Sequence, residues 1–413
     1  MKIRTLIISV LFFLGINASL AQFAGCTDPQ AANYNPTATI NDGSCTYNPV
    51  SVTPLESFNL AGNLSETSGL IAWNNQIWTH NDNDDLNIYA LDSSNGTLLQ
   101  SYLLSGATNT DWEEISQDDD FVYVGDFGNN QNGNRTDLKI WRIDKNSILA
   151  GSPIIETINF SYSNQQDYSP AGSNHTDFDC EAFIVSADSI YLFTKQWISQ
   201  KTSVYALSKT PGTSIAKLKS TFDVKGLITG ATYIESKKFI ALCGYSTSLQ
   251  PFIYLLYDFN KTDFFSGNKR KIEVTLAFHQ VEGIASFNGL KYYISNEQFI
   301  QAPLINSPQM LHTLDMSQFT ESYLNNIPLS LREAQNSSNK VLYPNPAKDF
   351  INLKAGEFHK PVSYQIINQT GQIFLAGKLQ PENLSINISD LQPGLYLLRI
   401  GENKMQSYKL IKR

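Results

Sequence analysis

An all-β fold is what this 413-residue chain predicts, on three observations. Tyr and Phe are abundant, at 20 and 23 residues, whereas Met is scarce at 4, a balance that favours strands over long helices. Apolar residues alternate over short stretches divided by turns. Above all, a unit of four strands recurs through the middle of the chain every 40 to 50 residues or so, about the spacing of a propeller blade.

The elements follow in chain order. Lys2 and Arg4 precede a mostly apolar run at 6–14, and Ala18-Ser19-Leu20-Ala21 offers a cleavage site before Gln22, so 1–21 reads as a signal peptide. The run is too short to span a bilayer, and no later stretch reaches about 18 apolar residues, so no transmembrane segment is expected. Residues 22–50 form a small module holding Cys26 and Cys45. A segment this short cannot build its own core, and a disulfide is the natural staple in an oxidising compartment. Asp28, Asn33, Asn35, Asn41 and Asp42 offer hard oxygen donors for Ca2+, but they are read first as turn formers.

Residues 52–332 carry the repeat. Five triplets align: Ser68-Gly69-Leu70, Glu113-Glu114-Ile115, Glu181-Ala182-Phe183, Gly230-Ala231-Thr232 and Glu282-Gly283-Ile284. Each opens a first strand, with second strands at 77–79, 122–124, 190–192, 239–241 and 292–294 and third strands at 87–91, 138–143, 203–207, 252–256 and 309–313. Fourth strands follow in four copies, at 98–104, 154–162, 216–222 and 271–277; the fifth lacks one, but an orphan strand at 55–60 precedes the first copy. If that strand completes the last blade, the ring closes with strands from both chain ends and leaves no open edge. The expectation is a five-bladed β-propeller, with six blades as the alternative count. A β-sandwich would also alternate and turn, but it would not repeat one order of features five times.

Blade topology gathers polar residues. First strands start where second strands end, so both meet at one mouth of the central channel, and residues two apart on a strand point the same way. The starts present Glu66 with Ser68, Asp111 with Glu113, Asp179 with Glu181 and Gln280 with Glu282; the fourth copy breaks the pattern with Ile228 and Gly230. The second-strand ends add His80, Asn81, Asp82, Asp126, Lys195, Asn296 and Glu297, and the loop from Gly125 to Arg135 opens at the same face. Converging carboxylates repel unless a cation or a set of donors satisfies them. Asp111, Glu113, Asp179, Glu181 and Glu282 are therefore candidate Ca2+ ligands, with bonds to backbone N–H groups as the plainer reading. His80, Asp82, Asp126, Arg135, Asn296 and Glu297 are candidate ligand-binding residues. His80 could act as a general base or simply as a hydrogen-bonding partner. Arg135 could grip an anion or pair with Asp126. Cys180 and Cys243 fall near one face of neighbouring blades; a bridge would need Cα atoms within about 7 Å, and two buried thiols are the preferred reading. Asp118-Asp119-Asp120 lies in a turn at the opposite face.

The formal charge of −8 conceals an asymmetry. Setting aside the two basic residues of 1–21 and the nine basic and five acidic residues of 341–413 leaves 19 basic against 33 acidic groups, or −14. Such a body repels phosphates, which disfavours nucleic acid. The sequence holds no G-x-S-x-G elbow, H-E-x-x-H zinc motif, P-loop or dinucleotide fingerprint.

Several segments resemble known families. Residues 341–413, after a linker at 333–340, open with Tyr343-Pro344-Asn345-Pro346, carry Asp390-Leu391-Gln392-Pro393-Gly394-Leu395-Tyr396 and close on a basic end. They resemble the type A C-terminal sorting domain of the type IX secretion system of Bacteroidota. That resemblance implies a small β-sandwich-like domain, the secretion machinery as partner, and passage through the periplasm to the outer-membrane surface or the medium. The module around Gly25-Cys26-Thr27-Asp28-Pro29, Asn33-Tyr34-Asn35-Pro36 and Asp42-Gly43-Ser44-Cys45 resembles one common in exported Bacteroidota proteins. Trp78-Thr79-His80-Asn81-Asp82, Asp111-Trp112-Glu113-Glu114-Ile115 and Gly125-Asp126-Phe127-Gly128-Asn129-Asn130 with Arg135 look like a family of exported bacterial propellers. Val281-Glu282-Gly283-Ile284-Ala285 is distantly similar to the esterase-like phytase and SdiA-regulated propellers. Three functions are weighed: a propeller binding a small molecule, glycan or protein at the acidic mouth, with or without Ca2+; a Ca2+-dependent phytase-like or esterase-like hydrolase; and a structural surface protein. Missing catalytic motifs favour the first.

Overall fold

The computed structural model describes residues 22–326, 342–353, 361–368, 372–380, 384–400 and 406–413. The expected signal peptide at 1–21 and the expected linker at 333–340 lie outside the described residues. Two compact units form, Met1–Asn325 and Asn326–Arg413.

The first unit is a ring of five four-stranded antiparallel blades. Blade one is Ile71–Trp73, Gln76–His80, Asn87–Asp92 and Leu98–Leu103. Blade two is Trp112–Gln117, Phe121–Asp126, Lys139–Asp144 and Ile155–Tyr162. Blade three is Asp179–Val185, Ser189–Lys195, Thr202–Ser208 and Gly212–Phe222. Blade four is Leu227–Ile234, Phe239–Tyr245, Pro251–Tyr257 and Asn268–Val274. Blade five is Val281–Ser286, Lys291–Asn296 and Met310–Asp315, completed by Glu56–Asn59 from the other end of the chain. The orphan strand thus closes the ring as expected. The alternative count of six falls, because 163–178 contains no strand.

Alternation within each strand builds the ring. In blade two, Val122 and Val124 point toward blade one and pack with Trp78 and Ile88, whereas Tyr123 points the other way, toward Phe183 and Leu192 of blade three. The same division yields five apolar layers, one between each pair of neighbouring blades. Because both faces of a blade are covered, its central strands read as nearly continuous apolar runs.

Some outer edges are covered as well. The outermost strands of blades two and three pair in parallel, and Ser51–Val52 pairs in parallel with the outer strand of blade four. Blade five also carries a short hairpin, Phe299–Gln301 with Ile305–Ser307, and the helix Ser317–Asn326 sets Phe319 and Leu324 into the layer between blades four and five.

The Cys26–Cys45 disulfide is formed, whereas Cys180 and Cys243 are buried free thiols. In the module, the side-chain oxygens of Asp28, Asn33, Asn35, Asn41 and Asp42 accept from the backbone N–H groups of Gln30, Thr46, Thr37, Gly43 and Ser44. Four of these bonds span two residues and shape turns, whereas Asn33 reaches across the module to Ser44 and Thr46. The second unit holds a three-stranded and a four-stranded sheet around Ile351, Ile366, Ile386, Leu398 and Leu410, a sandwich-like arrangement.

Candidate acidic mouth

The mouth is shaped by one irregularity repeated around the ring. In blades two to five, the register between first and second strands slips by one residue, at Glu113, Glu181, Thr229 and Glu282. Blade one has the same extra residue between Thr67, bridged to Asn81, and Ile71, paired with Trp78. A β-bulge leaves its extra residue out of the ladder and re-aims the side chain. Three of the five bulged residues are glutamates, which places carboxylates where regular strands would set alternating side chains.

Two acidic groups result. Glu113, Asp179 and Glu181 of blades two and three bring carboxylate oxygens within 4.8 Å of one another, all buried. Asp179 accepts from the Trp197 indole at 2.8 Å and the Asn129 backbone N–H at 2.7 Å. Lys195 donates to Glu181 at 2.5 Å, with its ammonium over the Trp197 and Tyr245 rings at 4.7 and 5.2 Å. Burial alone would neutralise this lysine, but Glu181, Glu282 and Asp179 outweigh it and hold the ammonium charged, well above its usual range. Glu113 and Glu181 are driven well upward by burial, then by the neighbouring acids.

The other group joins Glu66 and Asp82 of blade one to Glu297 of blade five, again with oxygens within 4.8 Å, but half-buried. None of the three makes an ion pair among the described residues, and Asp82 Oδ1 is shielded from solvent without a hydrogen-bond partner. Burial, then the charges of Glu66, Asp111 and Glu282, lift Asp82 to about 7; burial, then Glu282, lifts Glu297 to about 9. Between the groups, Glu282 feels both Lys195 and Asp179, and Asp111 rises to about 6 through burial and the Asp179 charge. The five proposed metal ligands therefore surround one buried lysine, while Asp82 and Glu297 belong with Glu66, which the sequence placed at the mouth without giving it a role.

The remaining candidates are dispersed. Asp126 is enclosed by Arg135 at 2.8 Å and Lys139 at 3.3 Å, and Arg135 also bonds Asp137 and the Gly128 carbonyl. Its guanidinium is held by protein partners, the pairing weighed against anion binding. Gly128 lies so close to the Glu113 and Asp111 carboxylates that any Cβ would strike them, which lets the loop press onto the acids. His80 is fully buried against Trp112 in the layer between blades one and two, and burial lowers it to about 4. Asn296 is fully buried, its amide bonded to the carbonyls of Glu297 and Pro308 and to His312. Sequence reasoning gave no role to Lys195, whose position opposite Asp179 was the available signal, or to Glu114, which lies in the channel itself. Glu114 accepts from the N–H groups of Ile115 at 3.0 Å and of Ala231 across the ring at 2.7 Å.

Comparisons with known proteins bear on the two units differently. The aldose sugar dehydrogenase of Streptomyces coelicolor in its PQQ-bound form aligns with 64% of this chain and 98% of its own at 11% identity, TM-score 0.38. PorZ, a surface component of the type-IX secretion system of Porphyromonas gingivalis, aligns with 84% of this chain and 45% of its own at 13% identity, TM-score 0.30. The chloroplastic ribulose bisphosphate carboxylase/oxygenase activase of Spinacia oleracea is 67% identical over 30 residues, 7% of this chain and 6% of that protein. These likenesses are slight, and the propeller assignment stands on the sheet order. Among the described residues no helix is long and apolar enough to cross a membrane. Residues 341–413 match the family described as the secretion system C-terminal sorting domain, so the chain is a β-propeller carrying a sorting tail that directs it through the periplasm to the cell surface or the medium.

Proposed function

We propose that this exported propeller binds a ligand at its acidic mouth and that a divalent cation of the Ca2+ type takes part. The supporting observation is the Glu66, Asp82 and Glu297 trio, whose hard oxygens converge from two blades and make no ion pair among the described residues. All three carboxylates bring an oxygen within 4.8 Å of the others, close enough to share one ion at Ca–O distances of about 2.3–2.6 Å. The buried Glu113, Asp179 and Glu181 group is the weaker candidate, because Lys195 already supplies it with a positive charge. At the mouth the Ca2+-dependent hydrolase reading loses its anion-orienting group, since Arg135 is committed to Asp126 and Asp137.

Calorimetric titration of the exported chain with Ca2+ at pH 8 tests the reading. Saturable binding is expected, weakened at least about tenfold by Glu297→Gln and unchanged by Asp119→Asn, because removing one charged ligand of an oxygen site loses a charge-assisted contact worth more than about 1.4 kcal/mol. Absence of binding at millimolar Ca2+, or equal binding by Glu297→Gln, would sink it.

A further inference from the structure

We propose that Ser57 is an activated nucleophile on the outer strand of blade five, with His312 as its base and Asn296 as the residue that orients the base. Ser57 is exposed and stands directly opposite His312 across the antiparallel pair, with Oγ 2.7 Å from His312 Nδ1. His312 Nε2 lies 2.8 Å from Asn296 Oδ1. The Asn296 amide nitrogen donates at 2.8 Å to the carbonyls of Glu297 and of Pro308, which makes Oδ1 the acceptor and fixes the rest of the chain. Nε2 therefore carries the ring proton, Nδ1 presents its lone pair, and the Ser57 hydroxyl donates to it. His312 and Asn296 are buried, so solvent reaches this relay only at the hydroxyl.

A nucleophile bonded to a base that a third group orients is the arrangement that activates serine. Ser57 Oγ would attack the carbonyl carbon of an activated ester while its proton passes to His312 Nδ1. The tetrahedral adduct then expels the alkoxide, which takes that proton, and leaves an acyl-serine; water, deprotonated by the same nitrogen, later attacks the acyl carbon, the bond to Ser57 Oγ breaks, and Oγ takes the proton back as the acid is released. Asn296 carries no charge to stabilise the imidazolium, and burial, reinforced by His279, holds His312 down at about 3. The relay therefore suits activated acyl or phosphonyl groups and slow turnover.

The exported chain is treated with a fluorophosphonate probe, whose phosphorus gains the serine oxygen and loses fluoride, and the modified peptides are mapped by mass. Ser57 is expected to label at least about tenfold faster than Ser94 and Ser169. Ser57→Ala should remove that label and leave Ca2+ binding and the melting temperature unchanged. His312→Gln should slow labelling to the Ser169 rate, and Asn296→Asp should speed it, because a carboxylate strengthens the base; a purely structural hydrogen bond would produce neither shift. Labelling of Ser57 no faster than Ser169, or equal rates in the parent and both relay variants, would overturn the proposal.

Discussion

At the scale of single residues, the channel is decided by what a glycine leaves room for. Glu114 is fully buried, and its carboxylate ties blade two to the backbone of blade four. It fits because Gly69 faces it from blade one: a Cβ at Gly69 would sit 2.5 Å from the Ile115 nitrogen and 2.8 Å from the Glu114 Cα. Backbone atoms cannot swing aside as a side chain can, so Gly69→Ala should lower the unfolding free energy by about 1–3 kcal/mol, visible as an earlier midpoint in chemical denaturation. An unchanged midpoint would show that the channel wall gives way. In the sequence, the two-residue period sets Glu113 at the mouth with Asp111 and gives Glu114 no role. The bulge at Glu113 assigns one to the mouth and the other to the channel, and a bulge is a register event between strands that no single strand announces.

At the scale of elements, the stapled module acts as a clasp. Asp28 accepts from the hydroxyls of Tyr47 at 2.7 Å and Tyr257 at 2.5 Å, and the Arg270 guanidinium lies over the Tyr47 and Phe319 rings at 5.0 and 4.8 Å. From there the chain runs along blade four as Ser51–Val52 and closes blade five as Glu56–Asn59. A cross-link over about 15 residues limits the unfolded chain by about 3 kcal/mol, and the Cys26–Cys45 separation of 19 is similar. Mutating both cysteines to serine should therefore expose 22–50 to limited proteolysis while the blades resist it; an unchanged cleavage pattern would mean the docking contacts suffice alone. The blades were legible because apolar strands at a fixed spacing write a repeat into the sequence. Parallel pairing of outer strands was not, since the partners lie far apart in the chain, and the helix Ser317–Asn326 was not, since it buries only a few apolar side chains.

At the scale of the whole molecule, the mouth stores repulsion that a cation would relieve. Asp111 near 6, Asp82 near 7 and Glu297 near 9 hold protons in the folded chain that the unfolded chain releases above about pH 4. Stability from these groups is therefore fully present below that pH and declines as pH rises through the folded values. The residues of this mouth were largely legible, because strand starts and second-strand ends meet at one face in any such ring. Their division into a lysine-bridged group and a group with no ion pair among the described residues was not, because it depends on which way Lys195 extends. Thermal melting of the exported chain at pH 8, chelated and then supplied with Ca2+, tests the central claim most directly. An ion at a hundredfold its dissociation constant stabilises the fold by about 2.7 kcal/mol, so the account predicts a rise of several degrees, mostly lost in Glu297→Gln and kept in Asp119→Asn; a melting temperature indifferent to both chelator and Ca2+ would contradict it.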